Sequence, residues 1–253
     1  MTIAMAGTFG ASHRRFARLL RVELRKVAAT RGTQWVLGVL VGTWVLAALG
    51  VAAVTLGGGG GQVNVIGALM GMSAFVIMLA PILGIMIMAG DWQSRDVVTL
   101  FTAEPRRRFV FWAKVGAAVI AGAAIIVSAL ALAILASAAL AGIAGASLQW
   151  SLEGVNIWGM LLGAVVAIAS GVAYGAAIPR VAIAVTFSLL QGLAIDPLLA
   201  LDASGVGKWF RLSAISEIGG ASGAVGPALV AGILFVAAPL TAGYFRTLRA
   251  DIR

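Results

Sequence analysis

The sequence predicts an all-α integral membrane protein with six spans, on three observations. First, 61% of the 253 residues are hydrophobic and 11% are charged, against roughly 45–50% and about 25% in soluble domains. Second, the stretches 32–90 and 115–152 carry no Asp, Glu, Lys or Arg, and each exceeds the roughly 20 apolar residues that cross a bilayer core. The first is long enough for two spans. Third, these stretches lack the apolar/polar alternation of barrel strands. Lipid offers no hydrogen-bond partner to an open backbone, so helices are the remaining solution.

Spans are placed at about 35–56, 66–89, 115–140, 155–178, 181–201 and 227–245. Together they form one transmembrane domain, 35–245, between an N-terminal segment 1–34 and a tail 246–253. The basic residues sort by side. Seven precede span one (Arg14, Arg15, Arg18, Arg21, Arg25, Lys26, Arg31), and five lie between spans two and three (Arg95, Arg106, Arg107, Arg108, Lys114). Arg180, Arg246, Arg249 and Arg253 fall on the same side, against Lys208 and Arg211 on the other. The positive-inside rule makes the rich side cytoplasmic, with both termini there. The net charge of +9 therefore marks topology and does not point to nucleic acid. Residues 1–12 hold no compact apolar core, so no cleavable signal peptide is expected and span one directs insertion.

The outward connections 57–65, with five consecutive glycines, and 141–154 are expected to be short and featureless. The third, about 202–226, carries Trp209, Phe210 and Ile215 among Gly and Ser, which fits short interfacial or re-entrant helices better than a free loop. On the opposite side, 13–31 reads as an amphipathic helix. Phe16, Leu19, Leu20, Leu24 and Val27 form one stripe and Arg14, Arg18, Arg21 and Arg25 the other face. Such a helix lies along a membrane surface. Glu23 falls inside the apolar stripe, where a carboxylate is costly unless paired. Lys26 is its local candidate partner and the cluster Arg106 to Arg108 a distant one.

The segment Asp91 to Lys114 is the only substantial interior connection on the basic side, with a short helix expected over about 92–103 and a break at Pro105. A charged, structured insertion there suits the docking of a soluble partner as well as simple anchoring to lipid headgroups. Within the spans, Asp196 is the one ionisable residue away from the basic ends. Proton-coupled carriers and voltage sensors keep such groups at mid-membrane, so both classes are disfavoured. Asn156, Ser128, Ser170, Tyr174, Thr186, Ser188 and Gln191 are the polar candidates for lining a path, with helix packing as the commoner role for each. Gly38/Gly42, Gly67/Gly71, Gly159/Gly163 and Gly171/Gly175 are spaced for close helix approach. With no cysteine, thiolate chemistry is excluded. There is no GxxxxGK[ST] phosphate loop, catalytic triad or HExxH motif, so neither ATP hydrolysis nor another enzymatic activity is expected of this chain, and no cofactor of its own.

Over nearly its whole length the layout resembles the permease subunits of type-2 ABC exporters. Glu23, Lys26 and Arg31 in RVELRKVAATRGTQWVL resemble that family's amphipathic elbow helix. Asp91, Pro105, Arg106 to Arg108 and Lys114 match in type and order its cytoplasmic stretch after span two, while Arg95-Asp96 stands where the family often has Gly-Thr. The short turn at Pro179-Arg180 and the long segment before span six complete the likeness. The resemblance implies an elbow helix, a coupling helix between spans two and three that docks on a separate ATP-binding cassette ATPase, and short re-entrant helices before span six. The coupling residues would be Asp91, Trp92, Arg95, Asp96, Leu100, Glu104 and Arg106. ATP and Mg would be bound by the partner ATPase. A second permease subunit, identical or related, would complete the exporter in a bacterial inner membrane. The substrate class implied is broad: drugs, lipids, peptides or other hydrophobic compounds. A non-transporting membrane scaffold that recruits a cytoplasmic partner is the alternative from another class, and an ATP-independent carrier a third.

Overall fold

The computed structural model describes residues 2–57, 61–93, 106–151, 156–218 and 225–249. The segment 94–105, which holds Arg95, Asp96, Leu100 and Glu104, lies outside them, as does most of the coupling helix expected at 92–103. The first element, α1 (Thr2–Ala29), is followed by six helices long and apolar enough to cross a membrane: α2 (Arg31–Gly57), α3 (Val65–Gln93), α4 (Arg107–Ala144), α5 (Ile157–Ala177), α6 (Val181–Ala200) and α7 (Val225–Arg249). The sequence placed all six, and the structure lengthens several at the polar ends. Asp91 and Trp92 belong to the last turn of α3 and Lys114 to the third turn of α4.

Helices α3 and α5 form the centre of the bundle, and α2, α6 and α7 its periphery. The apolar window is 56% buried in α3 and α5 but 11% buried in α2. The periphery turns large apolar side chains outward, among them Leu46, Leu49 and Val54 of α2 and Leu190 and Leu193 of α6, as a surface in contact with lipid requires. One core cluster joins Leu40 and Trp44 of α2 to Met72, Val76 and Leu83 of α3, Ile125 of α4 and Ile168 of α5. A second lies nearer the basic end, where Leu20, Leu24 and Val27 of α1 pack against Phe111, Ala117 and Val172. The amphipathic stripe is thus turned onto the bundle. Arg15, Arg18, Arg21 and Arg25 are exposed on the other face.

Small residues set the spacing at the centre. A Cβ on Gly171 would run into the backbone of Pro81, and one on Gly175 would come within 2.8 Å of Ile85 Cα. From the opposite side, a Cβ on Gly84 would meet Val172 N at 2.7 Å. The two central helices therefore touch backbone to backbone, the geometry small-xxx-small spacing permits. Gly159 and Gly163 are also tightly packed, Gly159 against the Ser216 carbonyl and Gly163 against the Ile77 side chain, whereas the first two spacings behave differently. Gly38, Gly42 and Gly71 have no neighbour within 4 Å of a built Cβ, and Gly67 has only its own cap, Asn64.

Both polar-poor connections carry structure that the sequence reading did not anticipate. Gln62–Asn64 (β1) pairs in parallel with Ser147–Gln149 (β2), Val63 facing Leu148. The pairing satisfies backbone groups at the far end of α2, α3 and α4, and Val63 is fully buried. Gly145, at φ 62°, closes α4 and turns the chain into β2. Between α6 and α7 lie two 3-10 turns, Gly207–Phe210 and Leu212–Ile215.

Helices α6 and α7 each contain a π-helical turn, Gln191–Ile195 and Ile233–Ala237. Each is followed two residues on by proline, Pro197 and Pro239. A proline inside a helix has no N–H to donate and its ring crowds the carbonyl one turn back. The wider π turn is a local adjustment that accommodates it.

Gly171→Ala is expected to lower the thermal unfolding midpoint of the purified protein, at a cost of roughly 1–3 kcal/mol from overpacking. Gly42→Ala should leave it unchanged or raise it.

Candidate functional site

Two sites assemble from the residues singled out in the sequence, one at each end of the bundle. At the basic end, four ionisable side chains from three helices converge. Lys114 Nζ on α4 donates to Asp91 Oδ2 of α3 at 2.6 Å, to Glu23 Oε2 of α1 at 3.3 Å and to the carbonyl of Ile87 at 3.1 Å. Lys26 Nζ on α1 donates to Glu23 Oε1 at 3.2 Å and to Asp91 Oδ2 at 3.0 Å. Glu23, Asp91 and Lys114 are 4%, 9% and 6% exposed. Among the described residues two carboxylates face two ammonium groups, so these four side chains balance one another in charge. Removing one member of a buried ionic group strands the others at a cost of about 3–5 kcal/mol.

The partner of Glu23 is thus Lys26 together with Lys114, and not the Arg106 to Arg108 cluster. Lys26 is the half-exposed member. Burial by itself pulls its pKa down, but the carboxylates of Glu23 and Asp91 outweigh that and hold it above the ordinary lysine value.

A cavity of about 560 Å³ opens beside the cluster, lined by Glu23, Lys26, Thr30, Thr33 and Asp91. Its wall includes the joint between α1 and α2 at Thr30, where hydrogen bonding continues through Thr30 N to Lys26 O and Gln34 N to Thr30 O. Arg31 is exposed at the first residue of α2. On the other flank, Arg246 of α7 caps the C-terminal end of α5 through the Ala177 carbonyl at 2.6 Å and lies 5.1 Å from the ring centroid of Trp92. Arg106 precedes α4 and its guanidinium stands 6.0 Å from the Phe109 ring. Asp91, Trp92 and Arg106, the described members of the coupling set, are therefore each engaged at the ends of α3 and α4.

Toward the opposite end, a cavity of about 520 Å³ lies between α3, α5 and α6, roofed by the Leu212–Ile215 turn. Its polar lining includes Ser170, Tyr174, Ser188, Asp196, Arg211 and Ser213. Tyr174 is 3% exposed, and its hydroxyl has no hydrogen-bond partner among the described residues. Asp196 is held by three neutral donors: Gln191 Nε2 at 2.7 Å, Leu212 N at 3.0 Å and Ser213 N at 2.7 Å. The π turn makes the first of these possible, because Gln191 and Asp196 are five residues apart and superimpose only on the wider winding. Arg211 forms its ion pair with Glu217.

Of the three residues expected to line a path, Tyr174 lines this cavity. Gln191 is buried and serves Asp196. Asn156 has a different role, as the N-cap of α5. Its side-chain oxygen accepts from Gly159 N at 2.8 Å, and its amide nitrogen reaches the carbonyls of Ser216 and Ile218, both at 3.4 Å. Ser128 and Ser170 donate to carbonyls of their own helices, the usual fate of a hydroxyl in a lipid-embedded helix. The sequence reading passed over two participants, Lys114 as an ion partner and Arg211 as a lining residue. A count of charges by side recorded both but could not pair them. Among the described residues, no three His, Asp or Glu side chains converge as a metal ligand set.

Lys114→Met is expected to destabilise the fold by about 3–5 kcal/mol, read by chemical unfolding in detergent. Adding Glu23→Gln should recover part of that loss by restoring neutrality, a coupling visible in a double-mutant cycle. Lys26→Met should cost a constant amount through neutral pH. Because the folded-state pKa of Lys26 is raised, that cost should shrink only as pH rises beyond the ordinary value of 10.5.

No protein family, curated protein or solved structure matches this chain.

Proposed function

We propose that the chain is the membrane-spanning permease subunit of an ATP-driven exporter, coupled at its basic end to a separate ATP-binding cassette ATPase and paired with a second permease subunit. The ATPase subunit binds ATP and Mg. The basic end faces the cytoplasm of a bacterial cell, in keeping with the distribution of Lys and Arg.

The observation that carries this reading is the position of the ionic cluster. Asp91 precedes the segment 94–105 and Lys114 follows it, and both are bonded to the Glu23–Lys26 pair of α1. A force applied to that segment reaches the ends of α3 and α4 together, and α1 moves with them because its carboxylate and ammonium are shared between the two. Closure of an ATPase dimer against the segment would therefore tilt three helices as one body. That is the kind of rigid linkage by which a local event shifts a bundle between two arrangements. The cavity between α3, α5 and α6 supplies a place for a substrate within the same moving body, since α3 belongs to both sites.

The test is co-expression with the ATP-binding cassette protein encoded nearest to this chain, followed by affinity purification in detergent. The two are expected to co-purify with ATPase activity, and scrambling 92–103 should abolish the association. A proline inserted between Asp96 and Leu100 should abolish ATP-dependent transport in vesicles while leaving membrane insertion intact. A chain that folds but binds no ATPase, or transport that survives the insertion, overturns the reading.

A further inference from the structure

We propose that the cavity between α3, α5 and α6 is a binding site for amphipathic organic cations, with Asp196 setting the preference for positive charge. It deepens the exporter reading by naming the class of substrate, and its test reads binding alone, without any ATPase.

The cavity has the size of a small-molecule site, which typically runs to about 300–1,000 Å³. Its walls are mostly apolar, with Ile77, Met78, Pro81 and Leu193 among the lining residues, and the polar groups are few and convergent. Asp196 is the decisive one. Its oxygens accept from one side-chain amide and two backbone N–H groups, and donors of this kind favour the charged form of a carboxyl group. Those donors are neutral, so they orient the charge without cancelling it. No Lys or Arg among the described residues lies within ion-pair distance of Asp196; Arg211 lines the same cavity but is paired with Glu217. The cavity wall therefore carries one uncompensated negative charge inside an apolar helix bundle, where a buried charge is expensive unless a counter-charge joins it.

A second observation points to a ligand independently. The Tyr174 hydroxyl is buried in the same cavity and bonds to nothing among the described residues. Such a group is a cost to the empty protein, and a bound molecule can remove that cost. Its ring adds an electron-rich surface of the kind on which cations rest. A cation with apolar flanks matches the lining: charge toward Asp196, the Tyr174 ring beside it, and hydrocarbon from α3 and α6; an acceptor on the same molecule would also satisfy the Tyr174 hydroxyl. An anion would meet Asp196 unfavourably; Arg211 is ion-paired with Glu217, although its Nε bonds to nothing among the described residues.

The probe is radiolabelled tetraphenylphosphonium, applied to the full chain in lipid nanodiscs with empty nanodiscs as reference. Tetraphenylborate, of the same shape and opposite charge, serves as competitor. Saturable binding is expected, with little displacement by the borate. Asp196→Asn keeps an acceptor oxygen for the roof and removes the charge, and should weaken binding at least tenfold. Gly192→Leu adds bulk at a residue that lines the cavity, with nothing within 4 Å of the new Cβ. It should weaken binding by a similar factor with the thermal midpoint unchanged. Absence of saturable binding, equal displacement by the borate, or unchanged affinity in a folded Asp196→Asn protein overturns the proposal. If Asp196→Asn does not fold, unchanged affinity in Gly192→Leu overturns it alone. Cation binding without ATPase association would leave this inference standing and remove the exporter reading, and the reverse result would do the opposite.

Discussion

A helix bundle in hydrocarbon has no solvent with which to hydrogen-bond its polar groups, so each backbone amide and each charge must find its partner within the protein or at the membrane surface. Much of this chain's organisation follows from that constraint. The basic residues crowd one end. The ionisable groups that do enter the bundle are satisfied collectively, Glu23, Asp91 and Lys114 with Lys26 at the basic end, and Asp196 by amide donors toward the other. Prolines within the helices are met by rewinding the chain into π turns in α6 and α7, and α3 carries Pro81 at its closest approach to α5, against Gly171.

Packing obeys the same logic with a different currency. Lipid tails are as apolar as leucine, so hydrophobicity alone does not draw one span toward another, and close van der Waals fit has to do so. The fit is concentrated where α3 meets α5, between glycines and backbone. Around this axis α2, α6 and α7 turn large apolar side chains outward. Because α3 also ends in Asp91 and lines the cavity with Ile77, Met78 and Pro81, a single helix connects the two sites. That continuity makes the proposed coupling between an ATPase at one end and a substrate cavity nearer the other mechanically simple, since no intermediate element has to relay the motion.

The two sites differ in how they treat charge. Among the described residues the basic-end cluster sets two carboxylates against two ammonium groups, a balance that suits a joint holding helices together. The cavity leaves the Asp196 carboxylate oriented but unbalanced, which suits a place that waits for something else. The same residue types, placed within one bundle, thus serve cohesion in one location and, in the proposed site, recognition in the other.

The sequence by itself determined the number of spans, their order and the side on which positive charge accumulates, because these follow from run lengths and from residue chemistry read locally. It also indicated that α1 is amphipathic and that Glu23 needs a basic partner, since a wheel of one helix suffices for that. Which partner was beyond it. Lys114 lies 91 positions from Glu23 and Asp91 lies 65 from Lys26, and only the docking of α1 across α3 and α4 brings them together. The same holds for Asn156, whose polarity suggested a path but whose place at the start of α5 makes it a cap, and for the pairing of 62–64 with 147–149, which two short unremarkable stretches do not announce. Asp196 was visible as the isolated charge in the spans. Its meaning came from tertiary structure, because a π turn and a folded-back loop surround it with donors and set it in the wall of a cavity.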